Sequence, residues 1–417
     1  MRVTSDGRLT DETVREDVAV VLIVPLDEVR AGMKLAAPVQ NPEAPDQVLL
    51  KTGYMLEDSV VRRLRAIGIQ AVLVEYPALD DLDKHLAAHL SPARQKVYQI
   101  IKQSIGQSEA ATKPAVPYAD YYSATRDLVT TLMSQGQHPL YMDQMTRLGS
   151  DAVGHAASVA HLSLLLGMKL ETYLISERKR LDAGRAKDVV NLGVAGMLHD
   201  VGKVKLPPAL RQHSQVGLAA DHPERRQWEE HARLGYDMVH DEVEPTAASA
   251  ILHHHQRFDG TGFPTPVHTD GTRSPLDGRR IHIFARIVAA ANLYDRLATS
   301  RAGTRVSNLE VLHLMRAAHG AWLDPVVLKT LHEVVPPFPP GSRVALSDGT
   351  HAVVTKVEPG DPFNPVCRRL LEDNWTLEDG PLNLKRPDAP TIVAVGTTPV
   401  ASFLPTADAA NKLLAAT

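Results

Sequence analysis

The feature that most constrains the fold is a stretch of helical periodicity that runs from Tyr141 to about His332 with almost no strand signal. Proline removes a helical hydrogen-bond donor and clashes with the preceding turn, so a helix does not continue through it. The helical stretch ends at such a cluster, formed by Pro336, Pro337, Pro339 and Pro340. The sequence therefore predicts an all-α domain over residues 141–335.

Residues 1–80 carry a different pattern. Short apolar runs suited to strands occur between Val18 and Glu75, with one helical repeat of apolar residues among them. This alternation predicts a small N-terminal α/β module. Residues 81–140 are predicted to form a helical linker, because a connecting helix from about Asp81 to Gly106 is followed by a polar stretch.

Residues 336–417 have the pattern of strands and turns. Ser342–Leu346 and Ala352–Val357 flank a turn around Asp348, an arrangement typical of a β-hairpin. Thr391–Val395 is a further predicted strand. The predicted fold class is therefore multidomain, with a central all-α domain between a small N-terminal α/β module and a small C-terminal β-rich module.

Composition limits the class of protein. A chain of 417 residues is too long for one ordinary core, and 44% hydrophobic with 23% charged residues is typical of a globular protein. The formal net charge of −4 argues against a broad basic surface for duplex nucleic acid. The sequence thus favours a globular protein of two or three domains.

The N-terminal residues and the cysteine content bear on location. Val18–Leu26, the longest apolar stretch near the N-terminus, is too short to cross a bilayer, and the residues before it lack the order of a secretory signal. Cys367 is the only cysteine, which leaves no intrachain disulfide. A cytoplasmic location without membrane attachment is the expectation.

The chain contains 19 histidines, and the strongest motif among them is LHDVGK, Leu198–Lys203, at the end of an apolar helix. His199 and Asp200 can both reach one cation where a helix ends, and Gly202 permits the turn that this requires. Lys203 would project from the same end toward a bound phosphate. A helix C-terminus with a surface His-Asp pair is the alternative interpretation.

A second motif is ILHHHQRFDGTGFP, Ile251–Pro264. Neighbouring helical residues point about 100 degrees apart, so the three histidines cannot all face one way, but two of them can flank a two-metal centre. The Gly-containing loop that follows would then close over a ligand. An exposed histidine run beside a Gly-rich turn is the alternative.

Two further histidines, His155 and His231, lie in predicted helices. Taken singly, each is more often a core or surface residue than a metal ligand. Asp151 lies one turn before His155, so both side chains share a helix face.

In chain order the motifs give H…HD…H…HH, and this order resembles the HD-GYP family of the HD phosphohydrolase superfamily. The resemblance covers about residues 150–310. The central all-α domain is therefore identified as HD-type. The matching residues are His155, His199, Asp200, Gly202, Lys203, His231, Gly235, His254, His255, Asp259, Gly260, Thr261, Gly262, Phe263 and Pro264.

The resemblance implies a metal-dependent phosphodiesterase that hydrolyses cyclic di-GMP to pGpG, to GMP or to both, through a hydroxide shared by two metal ions. It implies two or three divalent ions, iron or manganese, which suit mixed imidazole and carboxylate ligands. Asp200 would bridge one ion on His155 and His199 and another on His231, His254 and His255. The implied catalytic residues are Asp200 and Lys203. The implied substrate contacts are Lys203, Asp259, Gly260, Gly262, Phe263, Pro264 and Arg301.

Several positions depart from the family pattern. Asn292 stands where the family has an aspartate ligand; its amide oxygen can coordinate but brings no negative charge, so metal affinity at the first site should be lower. Gln256 replaces a glutamate, Phe263 replaces the tyrosine of GYP, and Thr304 replaces a lysine, with Arg305 adjacent. Asp295, three residues after Asn292, is interpreted as a network carboxylate, with metal ligation as the alternative.

These departures leave more than one functional hypothesis. The first is a working phosphodiesterase whose activity is reduced by the substitutions. The second is a catalytically weakened member that serves as a cyclic di-GMP sensor or signalling scaffold, and the third is nucleotide hydrolysis outside signalling. Expected partners are cyclic di-GMP, diguanylate cyclases or other signalling proteins, and a second copy of the chain. The six positions from His155 to His255 favour the enzyme, since a pure scaffold has no physical need for them.

Overall fold

A computed structural model of the chain describes residues 21–26, 29–36, 38–41, 47–69, 71–75, 92–110, 117–134, 152–214, 221–267, 270–298, 306–358, 361–371, 376–386, 388–395, 398–401 and 403. The α-helices in these residues are α1 Asp58–Ala66, α2 Pro92–Ala110, α3 Tyr118–Ser134, α4 Ala152–Lys169, α5 Glu171–Glu177, α6 Ala183–Ala186, α7 Val190–Leu198, α8 Pro208–Arg211, α9 Arg225–Val239, α10 Pro245–His253, α11 Ile283–Ala298, α12 Asn308–His319 and α13 Pro325–Val334. The strands are β1 Val21–Pro25, β2 Val39–Gln40, β3 Val48–Leu50, β4 Ala71–Glu75, β5 Arg343–Leu346, β6 His351–Glu358, β7 Asp361–Arg369, β8 Leu382–Asn383, β9 Ile392–Val395 and β10 Thr398–Pro399.

The helices from α4 to α13 enclose one apolar core, as the periodicity predicts. The central helix is α4, which is buried on nearly every face and packs against α7 and α11. An apolar helix that is buried all round needs neighbours on all sides, and these helices supply them. Gly196 on α7 allows the closest approach, because a Cβ there would lie 2.7 Å from the Cα of Ala160 on α4.

Helices α2 and α3, which lie in the predicted linker 81–140, pack on this core and do not merely connect domains. Val97, Ile101, Tyr121 and Leu128 are buried in the same cluster as the apolar residues of α4 and α7. The division at residue 141 remains a prediction, but the helical core draws on residues that precede it.

The C-terminal residues form a six-stranded antiparallel sheet in the order β10-β9-β5-β6-β7-β8. The predicted hairpin is β5–β6, in which Val344 pairs with Ala352, and its turn uses Gly349 at a φ of 83°. The predicted strand at Thr391–Val395 is β9. The sequence analysis did not identify β7, whose two prolines, Pro362 and Pro365, weaken the strand signal.

In the N-terminal region β1 pairs antiparallel with β4, and α1 lies between them in the chain. Buried Val61 and Leu64 of α1 belong to an apolar cluster that also contains Val353, Leu370 and Leu377 of the C-terminal region. The described parts of the two flanking regions thus share one apolar cluster.

Within the described residues, no single helix combines the length and the apolar character needed to cross a bilayer; only α4 and α5 taken together, bent by 83°, meet that criterion.

Candidate metal centre

The histidines and the aspartate of the two sequence motifs converge between α4, α7, α9 and α10. Two groups result, each with potential ligand atoms within 4.8 Å of one another: Asp200, His231, His254 and His255 form one, and His155, His199 and Asp200 form the other. Asp200 is common to both groups, which is the arrangement that the resemblance implies for a bridging carboxylate.

The two oxygens of Asp200 face different groups. Oδ2 lies 3.5 Å from Nε2 of His155 and 3.4 Å from Nε2 of His199. Oδ1 lies 3.4 Å from Nε2 of His231 and 3.7 Å from Nε2 of His254. One carboxylate therefore serves both groups, one oxygen to each.

Four of the five imidazoles are oriented by a hydrogen bond from the ring nitrogen that points away from the cluster. Nδ1 donates to the carbonyl oxygen three residues earlier in His199 (2.8 Å), His231 (2.6 Å) and His254 (2.7 Å). In His155 it donates to Oδ2 of Asp295 at 2.5 Å. A carbonyl oxygen only accepts, so the proton is fixed on Nδ1 and the Nε2 lone pair faces the cluster. Such outer hydrogen bonds are typical of metal-binding histidines.

The Nε2 atoms of these rings face each other at short distances. His155 and His199 approach to 3.1 Å, and His231 approaches His255 to 3.2 Å and His254 to 3.4 Å. Lone pairs at such distances repel unless a cation lies among them. Oδ1 of Asp200 and Oδ1 of Asn292 are also buried without a hydrogen-bond partner in the described part of the chain. The donor set therefore fits divalent metal ions.

Burial keeps four of these imidazoles, those of His199, His231, His254 and His255, in the neutral form that metals require. Desolvation lowers the pKa of His199 and His254 and lowers the pKa of His231 and His255 far below the ordinary value. Burial alone would raise the pKa of Asp200, but Lys203 and His199 beside it hold that pKa well below its usual range. At neutral pH the site thus presents neutral rings around an ionised carboxylate.

Two cationic side chains contact the same oxygen of Asp200. Nζ of Lys203 lies 2.7 Å from Oδ2, and Nη2 of Arg296 lies 2.9 Å from it. Desolvation lowers the pKa of Lys203 to about 8, against the attraction of Asp200. Both side chains line a small cavity together with Ser214, Trp228, His255, Asn292 and Leu293.

The end of α7 places the His-Asp pair, as the sequence predicts. His199 follows the last residue of the helix, and Asp200 precedes the 3₁₀ turn Val201–Lys205. Gly202 brings this turn against α9, because a Cβ there would lie only 2.1 Å from the carbonyl oxygen of His231. The absence of a side chain at Gly202 thus sets the distance between the first motif and His231 on α9.

The end of α10 places the second motif. The helix ends at His253; His254 and His255 follow and face the cluster, while Nδ1 of His253 lies 3.4 Å from Oγ of Ser249 on its own helix. This division agrees with the prediction that only two of the three rings can share a centre.

The loop after these histidines packs beneath the site. The Phe263 ring stacks on the His255 ring with centroids 4.6 Å apart and lies 5.6 Å from the Trp228 ring. Nε2 of Gln256 donates to the carbonyl oxygen of Pro264 at 2.5 Å. Gly262 is required by close packing, since a Cβ there would lie 2.3 Å from the backbone nitrogen of Arg257.

Some of the predicted substrate contacts do not line the cavity. Phe263 is only 8% exposed and supports His255 from below. Asp259 is exposed, and its Oδ1 accepts hydrogen bonds from the backbone and hydroxyl of Thr261. Gly260 follows with a φ of 81°, as a turn requires. Asp151, Arg301, Thr304 and Arg305 lie outside the described residues.

Helix α11 contributes more to the site than the sequence analysis assigned to it. Asn292 lines the cavity, and Asp295 is the network carboxylate that orients His155. Arg296 was missed, although it follows Asn292 by four residues and so shares its helix face. Trp228, which stacks near His231 and His255, was missed too; it precedes His231 by three residues on α9.

A family model described as an HD domain matches residues 175–327. Cyclic di-GMP phosphodiesterase PA4108 of Pseudomonas aeruginosa is 26% identical over 284 residues, which cover 66% of this chain and 60% of that protein. The cyclic di-GMP phosphodiesterase response regulator RpfG of Xanthomonas campestris pv. campestris is 28% identical over 182 residues, 41% of each protein.

The chain thus spans 60% and 41% of the lengths of these two relatives. Among solved structures, Bd1817, a HDG"Y"P protein from Bdellovibrio bacteriovorus, is 15% identical with a TM-score of 0.38, over 76% of this chain and 99% of that chain.

Proposed function

The family model and the sequence relatives support an HD-GYP domain in this chain, and from that premise we propose that it is a metal-dependent phosphodiesterase that hydrolyses cyclic di-GMP. The single observation that carries the proposal is the shared carboxylate of Asp200, with one oxygen toward each group of imidazoles. A core histidine network without a ligand has no need for Nε2 lone pairs that face each other. The proposed metal ligands are His155, His199, Asp200, His231, His254, His255 and Asn292.

Divalent ions, when bound, lower the pKa of coordinated water and stabilise charge on a phosphodiester. The chain's own residues supply the remaining tasks. Asp200, whose pKa is held low, stays ionised as the common ligand. Lys203, which lines the cavity and is largely protonated at neutral pH, is placed to hold a phosphate oxygen and to neutralise the charge that develops on it.

The aromatic residues give the site its rigidity. Trp228 is fully buried, its indole nitrogen donates to the carbonyl oxygen of His213, and its ring lies 4.8 Å from that of His231. With Phe263 it fixes two imidazoles and excludes water from behind them. The proposal also includes iron or manganese as the metal, pGpG or GMP as the product, and a cytoplasmic location. The proposed substrate contacts are Asp259, Gly260, Gly262, Pro264 and Arg301.

The test is turnover of cyclic di-GMP by protein purified without air and supplied with Mn²⁺ or Fe²⁺, with products separated as pGpG and GMP. Asp200→Asn keeps the shape of the side chain and removes the charge that both groups share. We expect it to lower turnover by more than about 100-fold, since even outer partners of metal ligands are worth 10- to 100-fold.

The matched control is Asp237→Asn, because the side chain of Asp237 is 51% exposed on α9. Its turnover should equal that of the unmodified chain. Absence of turnover in the unmodified protein with metal bound would refute the enzyme, and tight cyclic di-GMP binding in that protein would point to the sensor.

A further inference from the structure

Arg296 occupies a position that matters for the number of metal ions. Its Nη2 atom lies 2.9 Å from Oδ2 of Asp200, the same oxygen that faces His155 and His199. The guanidinium also lines the cavity beside Lys203 and Asn292. A positive side chain therefore stands at one of the two groups that share Asp200.

The two oxygens of Asp200 differ in the positive charge that lies beside them. Oδ2 has two cationic nitrogens within 2.9 Å, from Lys203 and Arg296. Oδ1 has no hydrogen-bond partner within the described residues and faces imidazole nitrogens only. A divalent ion near Oδ2 would meet two positive neighbours, whereas one near Oδ1 would meet none as close.

The number of potential ligands also favours the group on Oδ1. The group on Oδ1 offers three imidazoles and a carboxylate, four ligands in all. The group on Oδ2 offers two imidazoles and the shared carboxylate. Asn292, whose buried Oδ1 has no hydrogen-bond partner among the described residues, adds no negative charge.

We propose that the chain holds one divalent transition-metal ion, at Asp200, His231, His254 and His255, and that the Arg296 guanidinium supplies the second positive charge beside it. This inference rests on the proposed function for the substrate and narrows its ligand set to these four residues, so that His155, His199 and Asn292 would hold no second ion of comparable affinity. Guanidinium presents donors in a planar fork that matches two phosphate oxygens, so Arg296 together with Lys203 would hold the phosphodiester in the cavity that both side chains line.

The test counts metal ions and does not depend on activity. Metal-free protein is titrated with Mn²⁺ without air, bound metal is measured after dialysis, and electron paramagnetic resonance separates isolated ions from coupled pairs. The unmodified chain should bind one Mn²⁺ per chain, with any second ion at least about 10-fold weaker and no coupled signal. Arg296→Met combined with Asn292→Asp removes one positive charge and adds one negative charge, and should bind two Mn²⁺ with a coupled signal.

The control is Arg233→Ala, since the side chain of Arg233 is 63% exposed on α9, the helix that carries His231. It should bind one ion, as the unmodified chain does. Arg296→Gln replaces the methionine variant if circular dichroism shows that the latter is unfolded. Two ions of similar affinity in the unmodified chain, or a single ion in the double variant, would overturn the inference.

The same samples are assayed with cyclic di-GMP, so the two proposals fail separately. One bound Mn²⁺ without turnover refutes the phosphodiesterase and leaves the metal count standing. Turnover with two bound Mn²⁺ supports the phosphodiesterase and refutes the role of Arg296.

Discussion

Residues of the site differ in how visible they are in the sequence. The histidines and Asp200 carry a recognisable order along the chain, so their grouping was predictable. Arg296 and Trp228 carry no such mark, because an arginine or a tryptophan in a helix has many ordinary uses. Only the packing of α9 and α11 against the cluster shows that both touch it.

Asp295 illustrates the same limit. Its spacing from Asn292 predicts a shared helix face, and the interpretation as a network carboxylate agrees with its contact to Nδ1 of His155. Spacing alone could not choose between that contact and direct metal ligation, because the choice depends on the distance between α4 and α11.

His282 offers a test of buried charge outside the cluster. Its Nδ1 accepts a hydrogen bond from the backbone nitrogen of Phe284, and burial, with Arg178 and Arg286 nearby, lowers its pKa to about 4. The unfolded value is about 6.5, so the folded state binds fewer protons between these values. Its stabilising contribution is therefore complete above about pH 6.5 and is lost as the pH falls toward 4.

The measurement is urea unfolding at about pH 7 and about pH 4.5, followed by circular dichroism. His282→Asn keeps an acceptor and does not titrate, so the loss of stability on acidification should be smaller by about 1–3 kcal/mol than in the unmodified chain. His240→Asn is the control, since that ring is exposed. The same acid-dependent loss in the His282 variant would contradict this account.

At the scale of elements, both motifs lie where a helix stops. Adjacent side chains on a continuous helix diverge, whereas His199 with Asp200, and His254 with His255, follow the ends of α7 and α10. The sequence predicted this from Gly202 and from the geometry of three consecutive histidines. It did not predict β7, because Pro362 and Pro365 weaken the strand signal, although β7 pairs with β6, the strand that precedes it in the chain.

Gly202 allows a prediction about how two elements meet. In Gly202→Ala the new Cβ would lie 2.1 Å from the carbonyl oxygen of His231 and 2.4 Å from the backbone nitrogen of Gly235. Neither atom is the end of a flexible side chain, so α9 must shift away from the 3₁₀ turn. We expect a loss of at least about 3 kcal/mol in the free energy of unfolding.

The control is Gly320→Ala, because a Cβ at Gly320 has no neighbour within 4 Å. Urea unfolding should show a change within about 0.5 kcal/mol for this variant. Equal stability of the two alanine variants would show that the close approach at Gly202 is not required.

At the scale of the whole molecule, the helical core reaches back to residues that the sequence analysis treated as a linker. Periodicity marks α2 and α3 as helices but does not say what they pack against. Their buried residues join the core of α4 and α7, so the apolar core of the helical region includes residues from α2 onward.

The contribution of α3 is testable without truncation. Leu128 is 2% exposed in that core, and Leu128→Ala should lower the free energy of unfolding by about 2–5 kcal/mol. Met133 on the same helix is 70% exposed, and Met133→Ala should change it by less than about 0.5 kcal/mol. Denaturant titration of both proteins decides the matter, and a tolerated Leu128→Ala would restore the interpretation of this region as a linker.

Strand β6 has a further consequence. Successive side chains of a strand point to opposite faces, and Val353 belongs to the cluster shared with the N-terminal region, whereas Ala352 and Val354 belong to one that includes Leu309 of α12. The two faces of β6 thus pack against two different apolar clusters. Directed evolution of this segment would have to treat odd and even positions as separate design problems, and a one-residue insertion would disturb both at once.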